Sequence, residues 1–169
     1  MLGTEAAVTG SKEGHVNPIV GSFSWIADWI WSLPLIVLSL VIHVFGLALI
    51  YERVVGIMSR TEKRRHGFFT LVLITTVLLI TVLHAMEGAI WAVAYLFLGA
   101  LSDTRSAMLY SISAMTTYGH EGLRLEDHWQ LMGTLEALDG MLLFGLTTAF
   151  LFAMIQKVWV PENGSRYRR

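Results

Sequence analysis

Three apolar segments, each long enough to cross a lipid bilayer, constrain the fold of this chain more than any other feature. A helix crosses the hydrocarbon core with about 20 residues at 1.5 Å each. We place the spans at about residues 33–55, 68–100 and 128–158, within one membrane domain at 24–158. Only 15% of the 169 residues are charged, against roughly a quarter in soluble domains. The sequence therefore predicts an all-α integral membrane protein in contact with membrane lipid.

The first span is preceded by an aromatic cluster, Trp25, Trp29 and Trp31, of the kind that lies at the level of the lipid headgroups. We expect a partly interfacial helix there, with Pro34 at a bend or at a helix start. The polar N-terminus lacks the basic start and apolar core of a signal peptide, so no cleaved leader is expected.

The distribution of basic residues predicts the orientation. Five basic residues lie in the stretch 53–65 and three in the tail 159–169, whereas residues 101–127 carry four acidic residues against two basic ones. Basic loops stay on the cytoplasmic side. We therefore expect the N-terminus, residues 1–23, outside and the basic tail in the cytoplasm, in the plasma (inner) membrane. The basic tract at 60–65 is interpreted as this topology signal, and no nucleic acid is expected as a partner.

Several kinds of chemistry are excluded by what the sequence lacks. The chain has no cysteine, which excludes disulfides, thiolate metal ligands and cysteine nucleophiles. It has no phosphate-binding loop, nucleophile elbow or dinucleotide fingerprint. No span carries an arginine series of the kind found in voltage sensors. We therefore expect the chain not to be an enzyme.

Between the second and third spans, residues 106–117 are too short and too polar to cross the membrane. Ser102 or Asp103 is suited to cap a helix there, and apolar residues recur at helical spacing before the stretch 118–122 ends it. Such a backbone is tolerated at membrane depth only inside protein or beside a water-filled cavity. Taken alone, an ordinary extracellular loop explains the segment as well.

Residues 68–158 resemble the pore module of the tetrameric potassium-channel superfamily, in which an outer helix, a pore helix, a filter and an inner helix follow one another. That family's filter motif is Thr-Thr-Val-Gly-Tyr-Gly, and the matching residues here are Thr116, Thr117, Tyr118, Gly119, His120 and Glu121. The resemblance implies a re-entrant pore helix at about 105–117, a filter-like loop at 116–122 and a homotetramer. It also implies that the pore cavity and gate are lined by Gly140, Phe144, Thr148, Phe152 and Gln156.

The filter departs from the family pattern in its outer half. Tyr118 replaces a valine, His120 replaces the tyrosine, and Glu121 replaces the second glycine. The resemblance implies passive conduction of monovalent cations, and these departures imply altered selectivity. A ring of Glu121 side chains would attract cations, and with His120 it could hold a divalent cation at the outer mouth.

Five ionisable residues inside the spans form a second candidate site. They are His43, His84, Glu87, Glu136 and Asp139. Three of them lie roughly 15–18 Å from the outer ends of their helices, the others within a turn of that depth. Such groups are costly in a membrane unless they face protein or water. They could form a structural hydrogen-bonded cluster, a proton relay, or a metal site with His84, Glu87, Glu136 and Asp139 as candidate ligands for a divalent cation.

Two functions from different classes stay open at this point. The first is a cation channel of the potassium-channel-like tetrameric type. The second is a non-conducting membrane subunit, associated with other membrane subunits, or a protein that handles metal ions or protons at the buried cluster. Four-fold symmetry with residues 116–121 on the axis would favour the channel.

Overall fold

The computed structural model describes residues 18–59, 66–119, 122–126 and 129–159. Those residues form helices and no strand: α1 (Pro18–Ser59), α2 (His66–Phe97), α3 (Thr104–Met115) and α4 (Gln130–Trp159). Three of these helices contain stretches long and apolar enough to cross a membrane, namely Trp25–Met58, Gly67–Phe97 and Gln130–Gln156. The predicted all-α fold with three helices able to span a membrane is confirmed.

The first helix is longer than the sequence led us to expect. α1 has 42 residues and continues through Pro34, so the helix does not start at the proline. Proline removes one backbone hydrogen bond, but a membrane helix tolerates the loss where it packs against its neighbours. Here Leu35 and Ile36, next to the proline, pack against the other helices. At 1.5 Å per residue α1 is about 63 Å long, so it must tilt or extend beyond the bilayer.

Two apolar clusters join the long helices at opposite ends of the bundle. The cluster near α3 has a core of Trp91, Tyr95, Ala100, Leu125, Trp129 and Met132, against which Ala27, Leu35 and Ile36 of α1 pack. The cluster at the far end has a core of Leu47, Ile80 and Leu83, packed against by Phe150 and Leu151. α1 therefore runs antiparallel to α2 and parallel to α4. The layer between the two clusters contains the buried ionisable residues His43, Glu87, Glu136 and Asp139.

The short helix α3 is wedged between α2 and α4, which make few contacts with each other. A Cβ added at Gly140 of α4 would lie 2.7 Å from the Cα of Met115 and 2.8 Å from its carbonyl carbon. A Cβ added at Gly88 of α2 would lie 3.3 Å from Met115 Sδ and 3.4 Å from Ser111 Oγ. One glycine on α2 and one on α4 thus leave room for the C-terminal half of α3.

α3 begins with the predicted cap. Asp103 has an extended backbone, and its Oδ1 accepts a hydrogen bond of 2.9 Å from the backbone N–H of Ser106. Hydrogen bonds from the Ser106 hydroxyl and then from its backbone N–H lower the pKa of the Asp103 carboxyl below its ordinary value. The folded protein therefore favours the ionised carboxylate at the start of α3.

This cap predicts a pH dependence. Because the folded pKa of Asp103 is lowered, its contribution to stability is present above the unfolded pKa and is lost as the pH falls through the folded pKa. Asp103→Asn keeps a capping side chain that does not titrate. We expect the melting midpoint of the wild type to fall more steeply than that of D103N below about pH 4. Identical pH profiles of the two proteins in detergent would contradict this.

Candidate functional site

The predicted filter-like segment starts where α3 ends, and its backbone enters the left-handed region twice. Thr117 has φ 55° and Gly119 has φ 71°. The N–H of Thr117 donates to the Ala114 carbonyl and that of Tyr118 to the Ser113 carbonyl, each at 2.9 Å. This is the helix-ending motif in which glycine usually takes the left-handed position. A β-branched residue there is strained, and strain of about 1–3 kcal/mol is characteristic of functional sites.

The described part of the segment lies on the surface of the single chain. Thr116, Thr117 and Gly119 are exposed, and Tyr118 is 82% exposed. The Thr116 hydroxyl donates to the Ile112 carbonyl at 2.7 Å, which holds it against α3. His120 and Glu121, predicted to form the outer mouth, lie outside the described residues.

The residues predicted to line a cavity and gate divide into two sets. Gly140 is buried under the end of α3. The remaining four are exposed along one face of α4 at intervals of four residues: Phe144, Thr148, Phe152 and Gln156. Phe152 is 62% exposed, so a large apolar side chain on this face is left without a partner in the single chain. The ring of Phe144 also stacks on that of His84, with 4.5 Å between centroids.

A column of polar side chains runs through the middle layer of the bundle. His43, Glu87, Glu136 and Asp139 are completely buried, and His84 is partly buried. The five residues expected to lie at similar depth thus do lie inside the bundle. From α3 toward the opposite end of the bundle, the column consists of an upper group around Glu136, a middle contact at Asp139 and a lower group around His43.

The upper group is centred on Glu136. Its Oε2 accepts a hydrogen bond of 2.6 Å from the Tyr95 hydroxyl, and its Oε1 lies 2.5 Å from Ser111 Oγ. Ser111 Oγ also lies 2.7 Å from the carbonyl oxygen of Gly88. A hydroxyl has one proton and a carbonyl can only accept. Both contacts of Ser111 are hydrogen bonds when the Glu136 carboxyl is protonated. The Ser111 hydroxyl then donates to the Gly88 carbonyl, and the Glu136 O–H donates to Ser111 Oγ.

The middle contact joins all three long helices through one indole. Trp91 Nε1 lies 3.1 Å from Asp139 Oδ2 and 3.2 Å from Ser39 Oγ, and it donates to both. Indole nitrogen is a donor only, so this shared hydrogen bond fixes the orientation of the ring. The other carboxylate oxygen of Asp139 is left for another partner.

The lower group contains both histidines. His43 Nδ1 lies 2.9 Å from Glu87 Oε1, and its Nε2 lies 3.2 Å from Thr147 Oγ1. His84 Nδ1 lies 2.9 Å from the carbonyl oxygen of Ile80. The two imidazole rings meet edge to face, with 5.1 Å between centroids. Two side chains of α2, Glu87 and His84, and one of α4, Thr147, therefore surround the ring of His43.

Three buried atoms of this column have no hydrogen-bond partner among the described residues: His84 Nε2, Glu87 Oε2 and Asp139 Oδ1. In addition, one ligand atom from each of His43, His84 and Glu87 falls within 4.8 Å of the other two. Of the predicted metal ligands, His84 and Glu87 come together here, and His43 joins them. Glu136 is engaged with Tyr95 and Ser111 instead. An unpaired buried polar atom costs roughly 1–3 kcal/mol, more when charged.

Comparisons of the chain with protein families, with curated proteins and with solved structures give no match. Assignment of a function therefore depends on the residues and on their geometry.

Sequence reasoning missed the neutral members of the column. They are Ser39, Trp91, Tyr95, Ser111 and Thr147. A signal was present, because Ser39 precedes His43 by four residues and Trp91 follows Glu87 by four. Residues at that spacing share a helix face, so each ionisable residue marked a polar stripe.

Proposed function

We propose that this protein is a cation channel of the tetrameric potassium-channel-like type, which conducts ions passively. In this proposal α3 is a re-entrant pore helix, and residues 116–122 form the filter-like loop on the axis of a homotetramer. The N-terminus lies outside and the C-terminus lies in the cytoplasm of the plasma (inner) membrane. The resemblance of residues 116–121 to a potassium-channel filter suggests this function, and three structural observations support it.

The depth of α3 is the first support. Its last residue, Met115, packs on Gly140, about 15 Å along α4 from Gln130, and on Gly88, about 14 Å from the end of α2. Half of the hydrocarbon core is about 15 Å thick. In this proposal the ends of α2 and α4 lie at the outer edge of that core, and the C-terminus of α3 reaches the centre of the bilayer. The helix dipole places partial negative charge at this end, which favours a cation there.

The backbone after α3 is the second support, and it carries the proposal. Thr117 and Gly119 are both left-handed, with one residue between them. Alternation of left-handed residues lets successive carbonyl oxygens point to the same side of an extended segment, as filters that replace the hydration shell of an ion require. The helix-ending motif explains Thr117 but not the second left-handed residue at Gly119.

The third support is the uncovered surface. One chain supplies only one side of a ring of carbonyls, so a pore needs several copies around an axis. The exposed Tyr118 and the exposed row from Phe144 to Gln156 lie at the end of α3 and along α4, where the family places its axis. In the tetramer, Phe152 would narrow the pore by an apolar ring.

The experiment compares two glycines with nearly the same backbone. Gly119 has φ 71° and Gly99 has φ 69°, and an added Cβ meets no atom within 4 Å at either position. Alanine at each therefore costs a similar strain, roughly 1–2 kcal/mol. We expect G119A to reduce potassium flux into liposomes at least about tenfold, or to shift the reversal potential in planar bilayers, because the carbonyl alignment changes.

G99A is the matched control, since Gly99 lies in the connection after α2. It should melt like G119A in detergent yet conduct like the wild type. Equal flux in all three proteins, or no flux above that of empty liposomes in the wild type, would refute the channel proposal.

A further inference from the structure

We propose that His43, His84 and Glu87 form an intramembrane site for one divalent first-row metal ion, with Zn²⁺ as the best-fitting ion and the buried carboxylate of Asp139 as a second negative charge in the same polar column. The proposal does not depend on conduction, because the three ligands lie on α1 and α2 of a single chain. It assigns the lower group of the polar column to metal binding. Glu136, Tyr95 and Ser111 stay outside it.

The orientation of His84 is that of a metal ligand. The Ile80 carbonyl can only accept, so His84 Nδ1 carries the proton and donates at 2.9 Å. The lone pair is then on Nε2, the buried atom without a partner. Histidines that bind metals typically donate their other ring N–H to a backbone carbonyl or a carboxylate, which fixes the tautomer. Ordinary packing gives no reason to bury this lone pair unpaired.

His43 and Glu87 stand at the distance of adjacent ligands. Nδ1 and Oε1 are 2.9 Å apart, and atoms bound at about 2.0–2.2 Å to one metal ion lie roughly 3–3.5 Å from each other. The Thr147 hydroxyl lies 3.2 Å from Nε2, where it can accept the proton of that nitrogen and leave the Nδ1 lone pair for the metal. The three ligand atoms fall within 4.8 Å, so closure around an ion needs side-chain movements of about 1 Å.

Two fully buried carboxylates, those of Glu87 and Asp139, indicate that the ligand is positively charged. Glu87 Oε2 and Asp139 Oδ1 have no partner in the described chain, although both residues have no exposed surface. The lysines and arginines in the described residues lie in the connections or toward the helix ends: Arg53, Arg105, Arg124 and Lys157. Buried carboxylates must be paired, protonated or bound to metal. A divalent cation offsets the charges of Glu87 and Asp139 together.

The donor set indicates the kind of ion. Two imidazole nitrogens and one carboxylate oxygen make a three-ligand set, which suits a tetrahedral Zn²⁺ site that keeps its fourth position open. Calcium and magnesium prefer all-oxygen sites, so they are excluded by the histidines. His84 is only partly buried and stacks on the 42% exposed Phe144, where α2 and α4 make few contacts. In this proposal an ion enters the site from this side, between α2 and α4.

Cobalt titration tests the site directly. The full-length protein is purified in detergent, stripped with a chelator and titrated with Co²⁺, whose visible absorption reports coordination number. We expect one Co²⁺ per chain with the intense bands of four-coordination, displacement by Zn²⁺, and a raised melting midpoint. His84→Gln should weaken binding at least about tenfold, and Thr147→Val, which removes the hydrogen-bond partner of His43 Nε2, about tenfold.

Two controls separate this site from others. Glu52→Gln removes an exposed carboxylate from α1 and should bind like the wild type. The double variant H120Q/E121Q removes the candidate ligands of the outer mouth; loss of the four-coordinate cobalt bands in this variant would place the ion at the mouth and overturn the proposal. Absence of stoichiometric binding by the wild type overturns the proposal, and so does full binding by H84Q. The wild-type titration decides even if a variant fails to fold.

Discussion

Replacing Gly140 with alanine is expected to destabilise the protein by about 3 kcal/mol, the upper end of the usual cost of overpacking. The new Cβ would lie 2.7 Å from the Cα of Met115 and 2.8 Å from its carbonyl carbon. Both are backbone atoms, which cannot rotate away as the end of a side chain can. Either α3 moves away from α4, or α4 distorts. The melting midpoint in detergent and the unfolding free energy from denaturant titration measure the loss.

Gly145 provides the matched control on the same helix. A Cβ at this position meets no atom within 4 Å, so Gly145→Ala should stabilise the helix by about 0.5–1 kcal/mol. The cost of Gly46→Ala should lie between the two, because its Cβ would meet the flexible end of the Leu83 side chain at 2.7 Å. If G140A and G145A melted at the same temperature, the close seat of α3 on α4 would be disproved.

The packing at Gly140 also bears on the filter-like segment. The resemblance to potassium channels implies that this glycine belongs to the lining of the pore cavity and gate. In the single chain Gly140 contacts Met115. Met115 lies two residues before Thr117, where the left-handed backbone begins. A displaced α3 would move that backbone with it. G140A is therefore expected to reduce cation flux in liposomes as well as stability, whereas G145A should affect neither adversely.

The helices could be predicted from the sequence because their signals are local. Apolar runs gave the three spans to within a few residues, except where α1 continues through Pro34. α3 was predicted at about 105–117 and observed at Thr104–Met115, with Asp103 as its cap. Capping residues and apolar spacing act within one or two turns, so a single segment contains the information.

The pairing inside the polar column could not be predicted, because it depends on how the helices are rotated and shifted against each other. Sequence gives the depth of Glu136 and Asp139 but not which neighbour each one faces. The structure pairs Glu136 with Tyr95 and Ser111, and brings His43 to Glu87. The left-handed Thr117 was likewise out of reach, since a β-branched residue is the opposite of the usual signal for that conformation.

Substitution of His43 by leucine is expected to cost about 3–5 kcal/mol in metal-free protein, because it leaves Glu87 as an unpaired buried charge. Both residues are completely buried, His43 Nδ1 lies 2.9 Å from Glu87 Oε1, and the other carboxylate oxygen of Glu87 has no hydrogen-bond partner among the described residues. Glu87→Met should cost a similar amount. The double variant H43L/E87M should recover most of the loss, since apolar groups of similar volume replace a buried pair at little net cost.

The size of the loss distinguishes a charged pair from a neutral one. Hydrogen bonds between neutral side chains in membrane helices average only about 0.6 kcal/mol, because the unfolded chain also finds partners in the membrane. Thr81→Val is the control: its exposed hydroxyl bonds only to Val77 of its own helix, and the change should stay within about 0.5 kcal/mol. Single variants that lose no more than T81V would contradict a charged pair. A large loss that the double variant reverses would mean that Glu87 is ionised in the folded protein, which is the state that a bound cation requires.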